Sequence, residues 1–120
     1  YRLGDLLSLQ EKSPVNPKRI ESILNSMILG DIIPVVLTDS SSEVFTNFVS
    51  KLQTLTQYYA QNLGPLSTLK LCVEADIFIG TGAKISLWAA IFRDFKHKKM
   101  SYLPRELIWA EEIGLTSSWY

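Results

Sequence analysis

Short apolar runs rich in β-branched residues alternate with stretches of helical period along this chain, and that alternation most constrains its fold. "IIPVVLTD" predicts a strand over residues 35–38, with Pro34 at its start or edge. "DIFIG" predicts a buried strand over 76–80, and a weak strand is expected around 100–103. Asn16-Pro17 opens a helix, because Asn caps well and Pro is tolerated at the first helical position. Ile20, Ile23, Leu24 and Met27 follow at helical spacing, and Gly30-Asp31 is the expected stop. Ser40 and Glu43 form a capping-box pattern, and Phe45, Phe48, Leu52, Leu55 and Tyr59 continue one apolar stripe. The spacing therefore predicts a long amphipathic helix over 42–62, ended by Gly64-Pro65. "LSTLKLCVEA" predicts a shorter helix, residues 83–94 another, and Pro104 to Ile113 a last one with Gly114 as its stop. Strands alternating with helices of this length predict the α/β class, a parallel sheet covered by helices.

The chain has 120 residues, which bounds it to one domain or part of one, read here as a single lobe over 1–120. A 47% hydrophobic content supports a core, and 20% charged residues is ordinary for a globular chain. Twelve basic residues balance twelve acidic ones, so no bulk field favours nucleic acid or a membrane, and any anion site must be local. Cys72 is the single cysteine, which excludes an internal disulfide and a multi-cysteine metal cluster; a buried, inert thiol is expected. No window carries the run of about 18 apolar residues that a membrane span requires, and no signal peptide is visible. The chain begins at Tyr1 without an initiator methionine, so it reads as a fragment, and its compartment, cytoplasm or Golgi lumen, stays open.

In parallel α/β sheets, ligands bind beyond the carboxyl ends of the strands. Three polar loops fall at such positions: Arg2 to Asp5, if a strand precedes Tyr1, Thr38 to Ser42, and Gly80 to Lys84. "GTGAK" places backbone N–H groups and a helix dipole at a strand-to-helix junction, with the Thr81 hydroxyl and the Lys84 charge beside them. It matches neither GxxxxGK[ST] nor GxGxxG, so tight helix–sheet contact with Thr81 as a cap explains it equally simply. In "TDSSSE", Asp39 is suited to a ribose or base edge and Ser40 to a phosphate, while plain helix capping explains the serines. In "YRLGDL", Arg2 offers a planar fork suited to phosphate, Gly4 permits a tight turn, and Asp5 fixes the turn or the arginine. A surface arginine in a frayed terminus is the competing reading.

These three stretches resemble the GDP-fucose-dependent fucosyltransferases and their relatives. "YRLGD" is similar to the tail of their H-x-R-x-G-D signature, "VVLTDSS" to the following strand with its Asp/Ser loop, and "ADIFIGTGAKISLWAAIF" to their donor-phosphate segment. The resemblance covers residues 1 to about 103 and implies the Rossmann-like, nucleotide-sugar-binding lobe of a GT-B-like glycosyltransferase. By that resemblance Arg2 is the catalytic arginine that stabilises the leaving diphosphate. Asp39 and Ser40 lie near the donor, and Gly80, Thr81, Gly82 and Lys84 hold its phosphates, with Gly4 and Asp5 shaping the turn. It also implies a GDP-sugar donor, a carbohydrate acceptor, and no metal ion or other cofactor. The sequence departs from the pattern where the usual serine pair becomes Ala83-Lys84, and the signature histidine would fall before Tyr1. The alternative function is a non-catalytic Rossmann-like binding or assembly module.

Other residues are explained more simply. His97 lies in "KHKK", which reads as a solvated turn, with a membrane or phosphate patch as the sharper reading. Trp88, Trp109 and Trp119 read as core or subunit contacts. Glu106, Glu111 and Glu112 read as a polar helix face.

Overall fold

The computed structural model describes residues 16–27, 34–37, 42–54 and 58–120. The architecture is mixed, with helices and two small parallel sheets. The chain divides into two compact units, one drawn from the residues up to Asn62 and one formed by Leu63–Tyr120.

In the first unit, α1 (Pro17–Asn25) starts where its sequence predicts. Asn16 is extended, and its side chain accepts a 2.9 Å hydrogen bond from the Lys18 N–H. Ile20, Ile23 and Leu24 form its buried face. The helix ends at Asn25 rather than at the expected Gly30-Asp31, and the Ser26 hydroxyl donates back to the Ile23 carbonyl at 2.6 Å. β1 (Val35–Leu37) is parallel to β2 (Tyr59–Gln61), with Val35 opposite Tyr59 and Leu37 opposite Gln61. The long helix expected over 42–62 is not formed. α2 (Ser42–Val49) stops at Val49, and the chain turns through Ser50–Thr54.

Two interactions outweigh the helical period there. The Thr54 N–H donates to Glu21 Oε1 at 2.6 Å and the Thr54 hydroxyl donates to the same carboxylate, which holds residue 54 against α1. Tyr59 belongs to a β-favouring pair of tyrosines, and its N–H donates to the Pro34 carbonyl at 2.9 Å. Phe48 and Leu52 of the predicted stripe are buried, whereas Tyr59 is 64% exposed.

In the second unit, α3 (Pro65–Glu74) begins with Gly64 at the cap and Pro65 at the first helical position. It packs on α4 (Lys84–His97), which turns Ser86, Ala89 and Ala90 inward; such small residues let a helix approach closely. Residues 78–80, β3 (Tyr102–Leu103) and β4 (Ser118–Trp119) run parallel. Tyr102 exchanges backbone bonds with Phe78 and Gly80, while Ser101 and Leu103 accept from Ser118 and Tyr120. Alternate residues of a strand direct their backbone groups to opposite edges, so β3 lies between the other two. A 3-10 helix (Arg105–Ile113) links β3 to β4. Gly114 ends it at φ +88, the left-handed cap predicted for that glycine, and Leu115 buries behind it.

Arg93 is the unit's one fully buried charge among the described residues. Its Nη1 donates to the carbonyls of Cys72, Val73 and Ala75 at 3.0, 3.2 and 2.5 Å. Its Nη2 reaches the Asp76 and Met100 carbonyls, both at 3.3 Å, and its Nε reaches Ser101 Oγ at 3.1 Å. The last four carbonyls of a helix have no partner within it. Leu71 is served by the Ala75 N–H, and Arg93 serves the next two, placing its positive charge at the negative end of the α3 dipole. One side chain thus ties together α3, the 75–76 connection, α4 and the entry to β3. Cys72 is buried, as its sequence context predicts. Trp88 and Trp109 are 56% and 51% exposed, so of the two expected roles, core or subunit contact, neither fills the first; the α4 core face is made by small side chains instead.

Candidate anion site at the amino end of helix α4

Of the three loops singled out in the sequence, one lies wholly within the described residues. Arg2, Gly4, Asp5, Asp39 and Ser40 lie outside them. The strand expected over 76–80 is reduced to a single parallel bridge from Ile79 to Tyr102, and the Gly80–Lys84 turn leads from it into α4. The same edge of the strands carries the Leu103-Pro104-Arg105 turn and Tyr120, whose backbone carbonyl accepts from the Arg105 N–H at 2.8 Å.

The turn has an inner and an outer side. Gly80 is buried, and a Cβ there would lie 2.8 Å from Leu103 Cδ2 and 2.9 Å from Ser86 Cβ. Both distances are shorter than real Cβ contacts, so any other residue here would force Leu103 or Ser86 to shift. Thr81 is also buried, and its N–H donates to Ser86 Oγ at 2.9 Å. Its hydroxyl lies 3.5 Å from the same oxygen and accepts from the Ala83 N–H at 3.3 Å. The Tyr120 hydroxyl donates to the Gly80 carbonyl at 2.6 Å and fixes that peptide from the far side of β3.

The outer side is open. A Cβ on Gly82 would meet nothing within 4 Å. Ala83 is the cap of α4 and supplies no side-chain bond, and no acidic residue stands in the first turn. Among the described residues the N–H groups of Gly82, Lys84 and Ile85 take no hydrogen-bond partner, and the Lys84 side chain is exposed beside them. A fourteen-residue helix with an uncapped amino end presents a partial positive charge there. Such an end, with an adjacent ammonium, binds a phosphate or carboxylate. Thr81 serves the turn, and Gly82, Lys84 and Ile85 are the groups that face outward.

Three residues that shape this region carry no motif. Ser86 and Tyr120 hold the turn from below, and Arg105 stands at the same strand edge. Of these, Ser86 alone has a local signal, one helical turn into α4. The contacts of Tyr120 and Arg105 need the strand order. Arg93 is equally unmarked, and its donors are committed to the protein's own oxygens. Burial lowers its pKa from the ordinary arginine value, while Cys72 and Asp76 oppose the shift.

No three His, Cys, Asp or Glu side chains converge on a metal-binding arrangement among the described residues, and no described helix is long and apolar enough to cross a membrane. The chain matches no family model, no curated protein and no solved structure.

Proposed function

We propose that this chain is the donor-binding part of a glycosyltransferase that transfers a sugar, with fucose the first candidate, from a GDP-sugar to a carbohydrate acceptor. The observation that supports this reading most is the uncapped amino end of α4, with free N–H groups on Gly82, Lys84 and Ile85, at the carboxyl edge of parallel strands. In this reading the strands and helices of Leu63–Tyr120 belong to a Rossmann-like lobe, half of a GT-B-like fold.

The outward N–H groups and Lys84 hold the donor diphosphate, and the resemblance gives Arg2 the role of stabilising the charge that develops as GDP departs. Asp39 and Ser40 contact the nucleoside side of the donor. The bond from the anomeric carbon to the diphosphate oxygen breaks and its electron pair leaves with GDP, while the acceptor hydroxyl oxygen bonds to that carbon and releases its proton to water. Neither a metal ion nor another cofactor enters this scheme.

Titration of GDP, GMP and guanosine into the chain tests the reading. Affinity is expected to fall in that order, and Arg2→Ala and Lys84→Ala are each expected to weaken GDP while leaving guanosine unchanged. Equal or absent binding of all three ligands overturns it.

A second reading has its own observation. Gly80 packs closely on Leu103 and Ser86, and Thr81 points inward, so the turn also fits a module in which small residues let α4 sit tightly on the strands. That non-catalytic binding or assembly module is the reading left standing if GDP does not bind.

A further inference from the structure

Helix α4 buries its small residues and turns its aromatic residues outward. Trp88, Phe92 and Phe95 lie along one face at helical spacing, each exposed by roughly half, at 56%, 42% and 55%. The Trp88 and Phe92 rings stack tilted, with centroids 6.3 Å apart. Residues 84–99 contain Lys84, Lys96, Lys98 and Lys99 beside buried Arg93, and one acid, Asp94. Asp94 is occupied, since its Oδ2 accepts from the Thr116 N–H at 2.7 Å. No ion pair engages Lys96, Lys98 or Lys99 among the described residues. Met100, 54% exposed, follows the lysines directly.

We propose that this face of α4 docks the chain on an anionic lipid surface, with Trp88, Phe92 and Phe95 entering the headgroup boundary and Lys96, Lys98 and Lys99 binding lipid phosphates. Two observations favour lipid over a protein partner. The three aromatic side chains together expose on the order of 300 Å², well below the roughly 800 Å² per partner of a stable protein interface. Membrane association has no such threshold, because it grows with apolar area and with electrostatic attraction together. The charge arrangement also fits, with Lys96, Lys98 and Lys99 clustered at one end of the aromatic stripe and the one acid of residues 84–99, Asp94, held by the Thr116 N–H. The docking face uses none of the outward groups of Gly82, Lys84 and Ile85.

The test is co-sedimentation of the full chain with phosphatidylcholine vesicles, with and without phosphatidylglycerol. A Trp109→Phe/Trp119→Phe background reports Trp88 emission alone. Binding is expected to the anionic vesicles only, with a blue shift of Trp88 and loss of binding at high salt. Lys96→Gln/Lys98→Gln/Lys99→Gln is expected to lower the partition coefficient on the order of a hundredfold, at about fivefold per lysine. Phe92→Ser/Phe95→Ser is expected to abolish the blue shift. Both variants change side chains that are exposed or, at Lys99, half-buried, and unaltered circular dichroism confirms their fold. Equal binding to neutral vesicles, or no binding to either, overturns the proposal. So does concentration-dependent self-association that Phe92→Ser/Phe95→Ser removes, which would assign the face to a second copy of the chain.

Discussion

Replacing Arg93 by methionine keeps most of the buried volume and removes every donor. Six contacts converge on this guanidinium, five of them from backbone carbonyls. Taken singly, a hydrogen bond from a charged donor is worth ~1.5–3 kcal/mol, and six would rival the whole stability of a domain. They do not add, because five N–H groups serve six acceptors, and because burying the charge itself costs several kcal/mol. The groups that the substitution strands matter more. The Val73 and Ala75 carbonyls at the end of α3 lose the donor that Arg93 gives them, and each buried group left unpaired costs ~1–3 kcal/mol. A net loss of about 3–5 kcal/mol is expected, as for breaking a buried charged pair.

Urea unfolding of the full chain, followed by circular dichroism and tryptophan fluorescence, measures this loss. Arg93→Lys is expected to fall between the parent and Arg93→Met, since an ammonium is a point donor without the planar fork. The sign of the pH dependence follows from burial. Lowering the pKa of a base in the fold makes stability rise with pH only in the window between the folded and the ordinary arginine values, and an arginine in a protein stays protonated in ordinary buffers. The loss should therefore be the same in mildly acid and mildly alkaline buffer. If Arg93→Met unfolds within about 1 kcal/mol of the parent, water serves the carbonyls in its place and stranded backbone groups are not what Arg93 prevents.

Gly80→Ala is expected to destabilise the chain by about 1–3 kcal/mol, because its Cβ overlaps Leu103 and Ser86; the thermal midpoint reports it. Ser86→Ala strands the buried Thr81 N–H and should cost ~1–3 kcal/mol in urea unfolding, with hydrogen exchange accelerated at residue 81. Lys98 ends α4 in the left-handed region at φ 56, so Lys98→Gly should stabilise by up to about 1 kcal/mol, read as a higher unfolding midpoint.

Parts of this molecule follow from local chemistry alone. Asn16-Pro17 starts α1, Gly64-Pro65 starts α3, and Gly114 ends the 3-10 helix, because each depends on the φ of one residue or the hydrogen bonds of a few neighbours. The strand-to-helix handover at Gly80–Lys84 is legible for the same reason. Helical period over 42–62 misleads, because periodicity scores an apolar stripe and is blind to Glu21, 33 residues away, which holds Thr54. Tertiary structure alone decided that Thr81 faces Ser86, that Tyr120 anchors the Gly80 carbonyl, and that Arg93 closes the end of α3. The physical reason is range. A cap or breaker acts within a turn of its own chain, whereas a buried hydrogen bond between residues 21 or 40 positions apart exists only once other elements have set its geometry.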